Sequence, residues 1–369
     1  MFYVGIFIWV GYILLFNFVV AVDELIAVSV LYRHGDRVIG KSYPNDPYKD
    51  QSFWPVPFEE LTNTGKTQQY ELGKWLRQHY NSFLSQEYLA KEVIIQSSDV
   101  SRCLMSAACN LAGLYPPQGD QIWNPSLLWQ PIPIHTKPCW NDGLLTIPAQ
   151  CETYLKLANE LLESQEFIDY ENGNAALYAY LTEYTGYKIS SLFDARALYD
   201  VLYIENLYNY TLPAWTIPVF PDKLEPIALK TFEFESYTPE MARLVVGQVF
   251  HKILKQFGSF ISPFASEEKF QIFSAHDANV FSILHSLGIP NLQLVPYCGM
   301  VIFELRRNSE GKYFVQFLYK QDGEPELLTI EGCTPNCDYH TFKSILKPIS
   351  LGTLEWNGAC KPEQRTNRT

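Results

Sequence analysis

Positive charge is scarce in this chain. Its 28 lysines and arginines face 40 aspartates and glutamates, for a formal net charge of −12 over 369 residues. That balance excludes a nucleic-acid or anionic-membrane surface, so an anionic ligand would have to be held by cations gathered in one pocket. Long apolar runs are also lacking, with one exception. Residues 1–22 (MFYVGIFIWVGYILLFNFVVAV) carry no charge and are followed at once by Asp23-Glu24. Such a stretch is a secretory signal peptide or a membrane anchor. The basic flank of a signal peptide is missing, yet small residues near Ala21 beside polar sequence suit cleavage, and the signal peptide is the preferred reading. No second run follows, and the C-terminus (KPEQRTNRT) is polar. The mature chain is therefore expected to be free of a stable membrane span, in the secretory route. Internal repeats and low-complexity stretches are absent too. His79, His135, His251, His285 and His340 show no shared metal-ligand spacing, so neither metal nor cofactor is expected.

What the chain does have agrees with that compartment. Eight cysteines in an exported protein suggest disulfides, although spacing alone does not give their pairing. Asn209-Tyr210-Thr211 and Asn367-Arg368-Thr369 are acceptor tripeptides for N-glycans, a pattern that also arises by chance. Cys103 and Cys109 fall on a mostly apolar helical pattern and read as small buried hydrophobes.

The hydrophobic pattern recurs as strand, turn, helix. Leu25–Leu31 (LIAVSVL), Lys91–Gln96 and Lys269–Ser274 read as buried strands, with later strands at Gly299–Leu305 and Tyr313–Tyr319. Helices are expected at Thr64–Tyr80, at Ser101–Leu114 with Ser97 to Asp99 as cap residues, at Pro239–Gln256, and after Asp277, the last with Val280, Ile283, Leu284 and Leu287 on one apolar face. Prolines recur from 116 to 148, which predicts a winding connection, whereas 149–240 is mainly helical in pattern. These units favour an α/β sheet with helices on both faces. The expected organisation is 1–22 as leader, 23–148 and 241–369 as the two parts of an α/β core, and 149–240 as a helical cap.

In open sheets of this class ligands sit beyond the carboxyl ends of the strands, and three strand ends here carry suggestive residues. The first ends in Arg33-His34-Gly35-Asp36-Arg37. Arginine offers paired donors matched to phosphate oxygens, and a neutral histidine can act as a nucleophile. After the second strand comes Arg102, in the first turn of a helix, where free backbone donors favour an anion. After the third stand His276 and Asp277. Each has a plainer reading: a solvated basic turn, a helix-start charge, a capped turn. If the ends converge, they form one cationic pocket with a nucleophile and an acid.

Seven segments favour convergence: LYRHGDR at 31–37, YPNDPY at 43–48, ELTNTGKTQQYELG at 60–73, SSDVSRCLMSA at 97–107, YTLPAW at 210–215, SAHDANV at 274–280 and GCTPNC at 332–337. In these the chain resembles the histidine acid phosphatase family, particularly its animal prostatic and lysosomal branch and insect secreted or venom members. The resemblance implies a three-layer α/β/α sandwich core of the phosphoglycerate-mutase type with a smaller, mainly helical cap. It implies hydrolysis of phosphate monoesters, small or on phosphoproteins, through a phosphohistidine at His34. Arg33, Arg37, Arg102 and His276 would bind phosphate, and Asp277 would donate the proton. It also implies disulfides Cys151–Cys360 and Cys333–Cys337, and a possible homodimer. Where relatives have a cysteine to pair with the one matching Cys298, Ile204 stands here, leaving Cys139 as a candidate partner. Val38-Ile39 replace a small residue and proline, a change expected to reshape the pocket mouth. The alternatives are a phytase-like phosphatase, or a secreted binding protein that keeps the fold without catalysis.

Overall fold

The computed structural model describes residues 23–146, 151–262 and 267–361. The leader at 1–22, the boundary at 148/149 and the acceptor Asn367 lie outside the described residues. In chain order the elements are β1 (Glu24–Arg33), α1 (Asn63–His79), β2 (Val93–Ser97), α2 (Ser101–Leu114), α3 (Glu152–Leu162), α4 (Gln165–Thr185), α5 (Leu192–Leu207), α6 (Glu225–Glu235), α7 (Pro239–Ile261), β3 (Phe270–Ala275) and α8 (Asp277–Ser286). They continue with β4 (Met300–Arg307), β5 (Tyr313–Lys320), β6 (Glu326–Leu328), β7 (Cys337–Asp338), α9 (Tyr339–Leu346) and α10 (Thr353–Ala359).

The strands form one mixed sheet in the order β2-β3-β1-β4-β5-β6, with β7 on β5. β1, β2 and β3 are parallel, and β4 runs antiparallel to β1. The period-2 alternation of side chains makes this a three-layer structure. Val28, Val30, Tyr32, Phe270, Ile272, Met300 and Ile302 pack with Leu72 and Leu76 of α1 and Ala107 and Leu111 of α2. The intervening Ala27, Leu31, Phe273, Val301 and Phe303 join Val246 and Phe250 of α7 and Ile283 of α8 on the other face. A strand buried on both faces is apolar at nearly every position, which is why LIAVSVL shows no alternation of its own; its one polar residue, Ser29, donates to Gln256.

Residues 151–235 are helical, and they share the second cluster: the rings of Phe232 and Phe281 lie 5.5 Å apart. The proline-rich stretch after α2 holds only short 3-10 turns and covers the sheet edge at one point, where Ser97 and Ile95 bond the backbone of His135. Among the described residues no helix is long and apolar enough to cross a membrane.

Four expectations need correction. Ser97 to Asp99 do not cap α2; its N-cap is Val100, with no side-chain bond. Two of the serine hydroxyls are used elsewhere, Ser97 on the Ser98 carbonyl and Ser98 on His276. Val38 and Ile39 are fully buried in the core and do not line the pocket mouth. The disulfides Cys151–Cys360 and Cys333–Cys337 are present, but Cys139 and Cys298 are both free. Cys139 instead donates to the Asp99 carbonyl at 3.4 Å. The helix after Asp277 has no single apolar face, because Ala278 to Leu284 are all buried.

Candidate active site

The carboxyl ends of β1 and β3 and the start of α2 open into one cavity of about 720 Å³, lined by Arg33, His34, Arg37, Arg102, His276 and Asp277. The structure thus brings together all six residues singled out from the sequence. The turn after β1 is held by close backbone approach. A Cβ on Gly35 would lie 2.3 Å from the Gly65 carbonyl oxygen, and one on Gly65 would lie 2.2 Å from that of Asp36, so neither position accepts a side chain. Asp36, between the two site residues, fastens the turn. Its carboxylate accepts from the Thr62 hydroxyl and from Tyr208 Oη, and its amide donates to Gln68.

His34 is buried and its tautomer is defined by its neighbours. Nδ1 lies 2.8 Å from its partner, the Gly35 carbonyl oxygen, which can only accept. Nε2 lies 3.1 Å from Arg102 Nε, which can only donate. The ring therefore carries its proton on Nδ1 and presents the Nε2 lone pair to the cations. Burial, then Arg33, His276, Arg102 and Arg37, push its pKa well below the usual histidine value. His276 is neutral for similar reasons: burial, then Arg102, lower its pKa to about 4. Its Nε2 lies 3.0 Å from the Ser98 hydroxyl, and the Cys103 sulfur sits against the ring at 3.6 Å. Burial pushes that thiol up to about 12, so Cys103 is packing and not a nucleophile.

The arginines are held from several sides. Arg33 donates to the Val295 carbonyl at 2.6 Å, pairs with Asp277 at 2.9 Å, and has its guanidinium 4.3 Å from the centre of the Tyr297 ring. Arg37 is gripped by both carboxylate oxygens of Asp200, each at 3.0 Å. Arg102 stands in the uncapped first turn of α2, whose partial positive charge adds to its own. Asp277 opens α8. Burial alone would raise its pKa strongly, but Arg33, Arg196, His34 and Arg37 outweigh that and hold the carboxyl well below the usual range. The carboxyl is therefore ionised.

Sequence reasoning missed Tyr297, which packs against Arg33, and the residues that reach the cavity from α5: Phe193, Arg196, Tyr199, Asp200 and Tyr203. A faint signal exists, since Arg196 and Asp200 are one helical turn apart on a largely apolar helix. Phe53 and Trp54 do not line the cavity; they pack with Tyr48 and Tyr210. Asn209 is exposed in the turn after α5. Among the described residues there is no group of three His, Cys, Asp or Glu that could hold a metal ion.

The likeness to known proteins runs along most of the chain. Residues 38–183 match the model of the histidine phosphatase superfamily (branch 2). The chain is 37% identical over 348 residues to the prostatic acid phosphatase of Bos taurus, covering 92% of this chain and 89% of that protein. It is 36% identical over 344 residues to the lysosomal acid phosphatase of Xenopus laevis, covering 92% and 79%. Among solved structures, the phytase from Citrobacter braakii superposes with a TM-score of 0.67 at 17% identity, over 92% of this chain and all of that one, a likeness of fold.

Proposed function

The chain belongs to the histidine phosphatase superfamily (branch 2), and from that membership we propose how it works as an acid phosphatase on phosphate monoesters. His34 attacks phosphorus; Arg33, Arg37, Arg102 and His276 hold the phosphoryl oxygens; Asp277 supplies the proton to the leaving alcohol. The observation that carries this reading is the state of His34, neutral and buried, with its Nε2 lone pair turned to the cations. Phosphoryl transfer depends on in-line positioning and on stabilising charge at the equatorial oxygens, and three guanidiniums supply both.

When phosphate enters, its oxygens take over the Arg102 donor and free the lone pair. The Nε2–P bond forms as the P–O bond to the alcohol breaks, and the alcohol oxygen takes a proton from Asp277. Water then attacks phosphorus, Asp277 recovers a proton from it, and the N–P bond breaks to give phosphate and neutral His34. Asp277 must be protonated for the first step, yet the surrounding cations favour its ionised form. A phosphate group bound to Arg33 and Arg37 diverts the cations that keep it so, and at acidic pH a monoanionic ester carries the proton in. Activity favoured at acidic pH follows; a rate optimum well above neutrality would remove Asp277 from this role.

The test is trapping. Acid-labile, base-stable labelled phosphate should appear on the peptide containing His34 during turnover of a labelled monoester, insensitive to EDTA. It should be absent from His34→Ala, and sustained turnover by that variant would defeat the phosphohistidine. The competing reading, a binding protein without catalysis, is disfavoured because all six side chains are present and assembled. We take 149–240 as a cap over the strand ends, supported by the α5 side chains that wall the cavity. The leader, the two disulfides and the lysosomal relatives support a secreted or lysosomal setting. A homodimer is supported by the exposed side chains of Trp123, Leu128 and Trp129, and sedimentation of wild type against Trp123→Glu tests it.

A further inference from the structure

Four guanidiniums line the cavity, and three of them are committed. Arg33 bonds Val295 and Asp277, Arg37 bonds Val38 and Asp200, and Arg102 bonds His34. Arg196 differs. Among the described residues its one ion-pair partner is Glu235, at 3.6 Å, beyond hydrogen-bonding distance. Its side chain is 31% exposed at the cavity, and its guanidinium is braced on one side by the Phe232 ring at 4.2 Å. An arginine held by an aromatic face keeps its donor edges for something else.

The place of Arg196 says what that is. It lines the same cavity as Asp277, the proton donor to the leaving alcohol, but projects from α5 on the wall, away from the strand ends that carry Arg33 and His34. The phosphoryl group already has its own cations on the floor. Around Arg196 the wall is apolar and aromatic, with Phe193, Tyr203, Phe232 and Leu294. Two carboxylates, Asp200 and Glu225, also reach the cavity, and Asp200 is neutralised by Arg37.

We propose that Arg196 is a specificity-determining residue that binds a negative charge on the leaving group. The favoured substrates are then phosphomonoesters whose alcohol half has an apolar or aromatic body and its own carboxylate or phosphate. This rests on the phosphatase reading above, whose leaving group it describes.

The experiment compares phenyl phosphate with 4-carboxyphenyl phosphate in wild type, Arg196→Gln and Arg196→Lys. Calorimetry with benzylphosphonate and 4-carboxybenzylphosphonate gives the same comparison without turnover. Wild type should favour the carboxylated member of each pair by about tenfold, the size expected of a partly solvated charge-assisted contact. Arg196→Gln should bring both ratios to near one, mainly through KM, and Arg196→Lys should keep part of the preference. A wild-type ratio near one, or a ratio unchanged in Arg196→Gln, overturns the proposal. An equal loss on both substrates also overturns it, because Arg196 would then act only through Asp277. A charge preference in phosphonate binding without turnover of either ester would support this subsite while sinking the phosphatase reading.

Discussion

The floor and the wall of the cavity are built differently. On the floor, Arg33 and His34 are 6% and 2% exposed, and the groups that face the ligand are bonded before any ligand arrives. On the wall, α5 offers Asp200 with a third of its side chain exposed and Arg196 with no side-chain hydrogen bond among the described residues. A preorganised floor costs little reorganisation at the moment of reaction. It meets the one part that every phosphomonoester shares. The looser wall meets the part that varies.

That contrast can be broken at several points. The largest effect should come from the floor: Arg33→Ala removes a phosphate ligand and the partner of Asp277 together. It should lower kcat/KM for p-nitrophenyl phosphate by about 10³-fold; a loss of tenfold or less would make the floor no more demanding than the wall. Asp277→Asn should cost about 10²-fold or more with phenyl phosphate, but far less with p-nitrophenyl phosphate, whose leaving group needs no proton. Equal losses on the two esters would show that Asp277 does something other than protonate. On the wall, Asp200→Ala should raise KM by about tenfold and leave kcat nearly unchanged, because only the orientation of Arg37 is lost. A fall in kcat matching that of Arg33→Ala would erase the distinction.

The smallest effect concerns pH and stability, where the two regions titrate in opposite senses. Glu205 of α5 is fully buried, and burial, then Asp46, push its pKa up to about 9. The folded protein holds that proton more tightly than the unfolded chain does. Its contribution is therefore full below about pH 4.5 and is lost as pH rises towards 9. His276 on the floor, lowered to about 4, favours the fold above about pH 6.5, and that contribution is lost as pH falls through 4. Urea unfolding should show Glu205→Gln gaining on wild type by about 1–2 kcal/mol between pH 6 and pH 7. An unchanged pH dependence would mean the carboxyl is relieved in some other way.

The floor was legible in the sequence and the wall was not, for physical reasons. β1, β2, β3 and α2 announce themselves through local apolar patterns, and the floor residues are the residues that end them. Arg33, His34, Arg102, His276 and Asp277 could thus be placed before any packing was known. Arg196 and Asp200 belong to the site only because α5 crosses the strand ends. That is a tertiary fact, and the apolar pattern of α5 does not report it. Asp36 shows a third case: the sequence gives it no chemistry, and the structure makes it the fastener between the β1 turn, Thr62 and Tyr208. Cys139 and the serines before α2 failed because each has a side-chain partner that only folding supplies.

The position of β1 has a consequence for biosynthesis. This strand, which carries the nucleophile, lies between β3 and β4, and both are encoded roughly 240 residues or more downstream. At ordinary elongation rates the ribosome needs roughly ten to fifty seconds to make the intervening chain. Throughout that time this largely apolar strand has neither neighbour. Such a segment invites pairing with other chains, so the yield of this protein should depend on the chaperone capacity of the compartment that receives it. A nascent chain halted before Phe270 would hold the nucleophile without the acid, and would have no finished site at all.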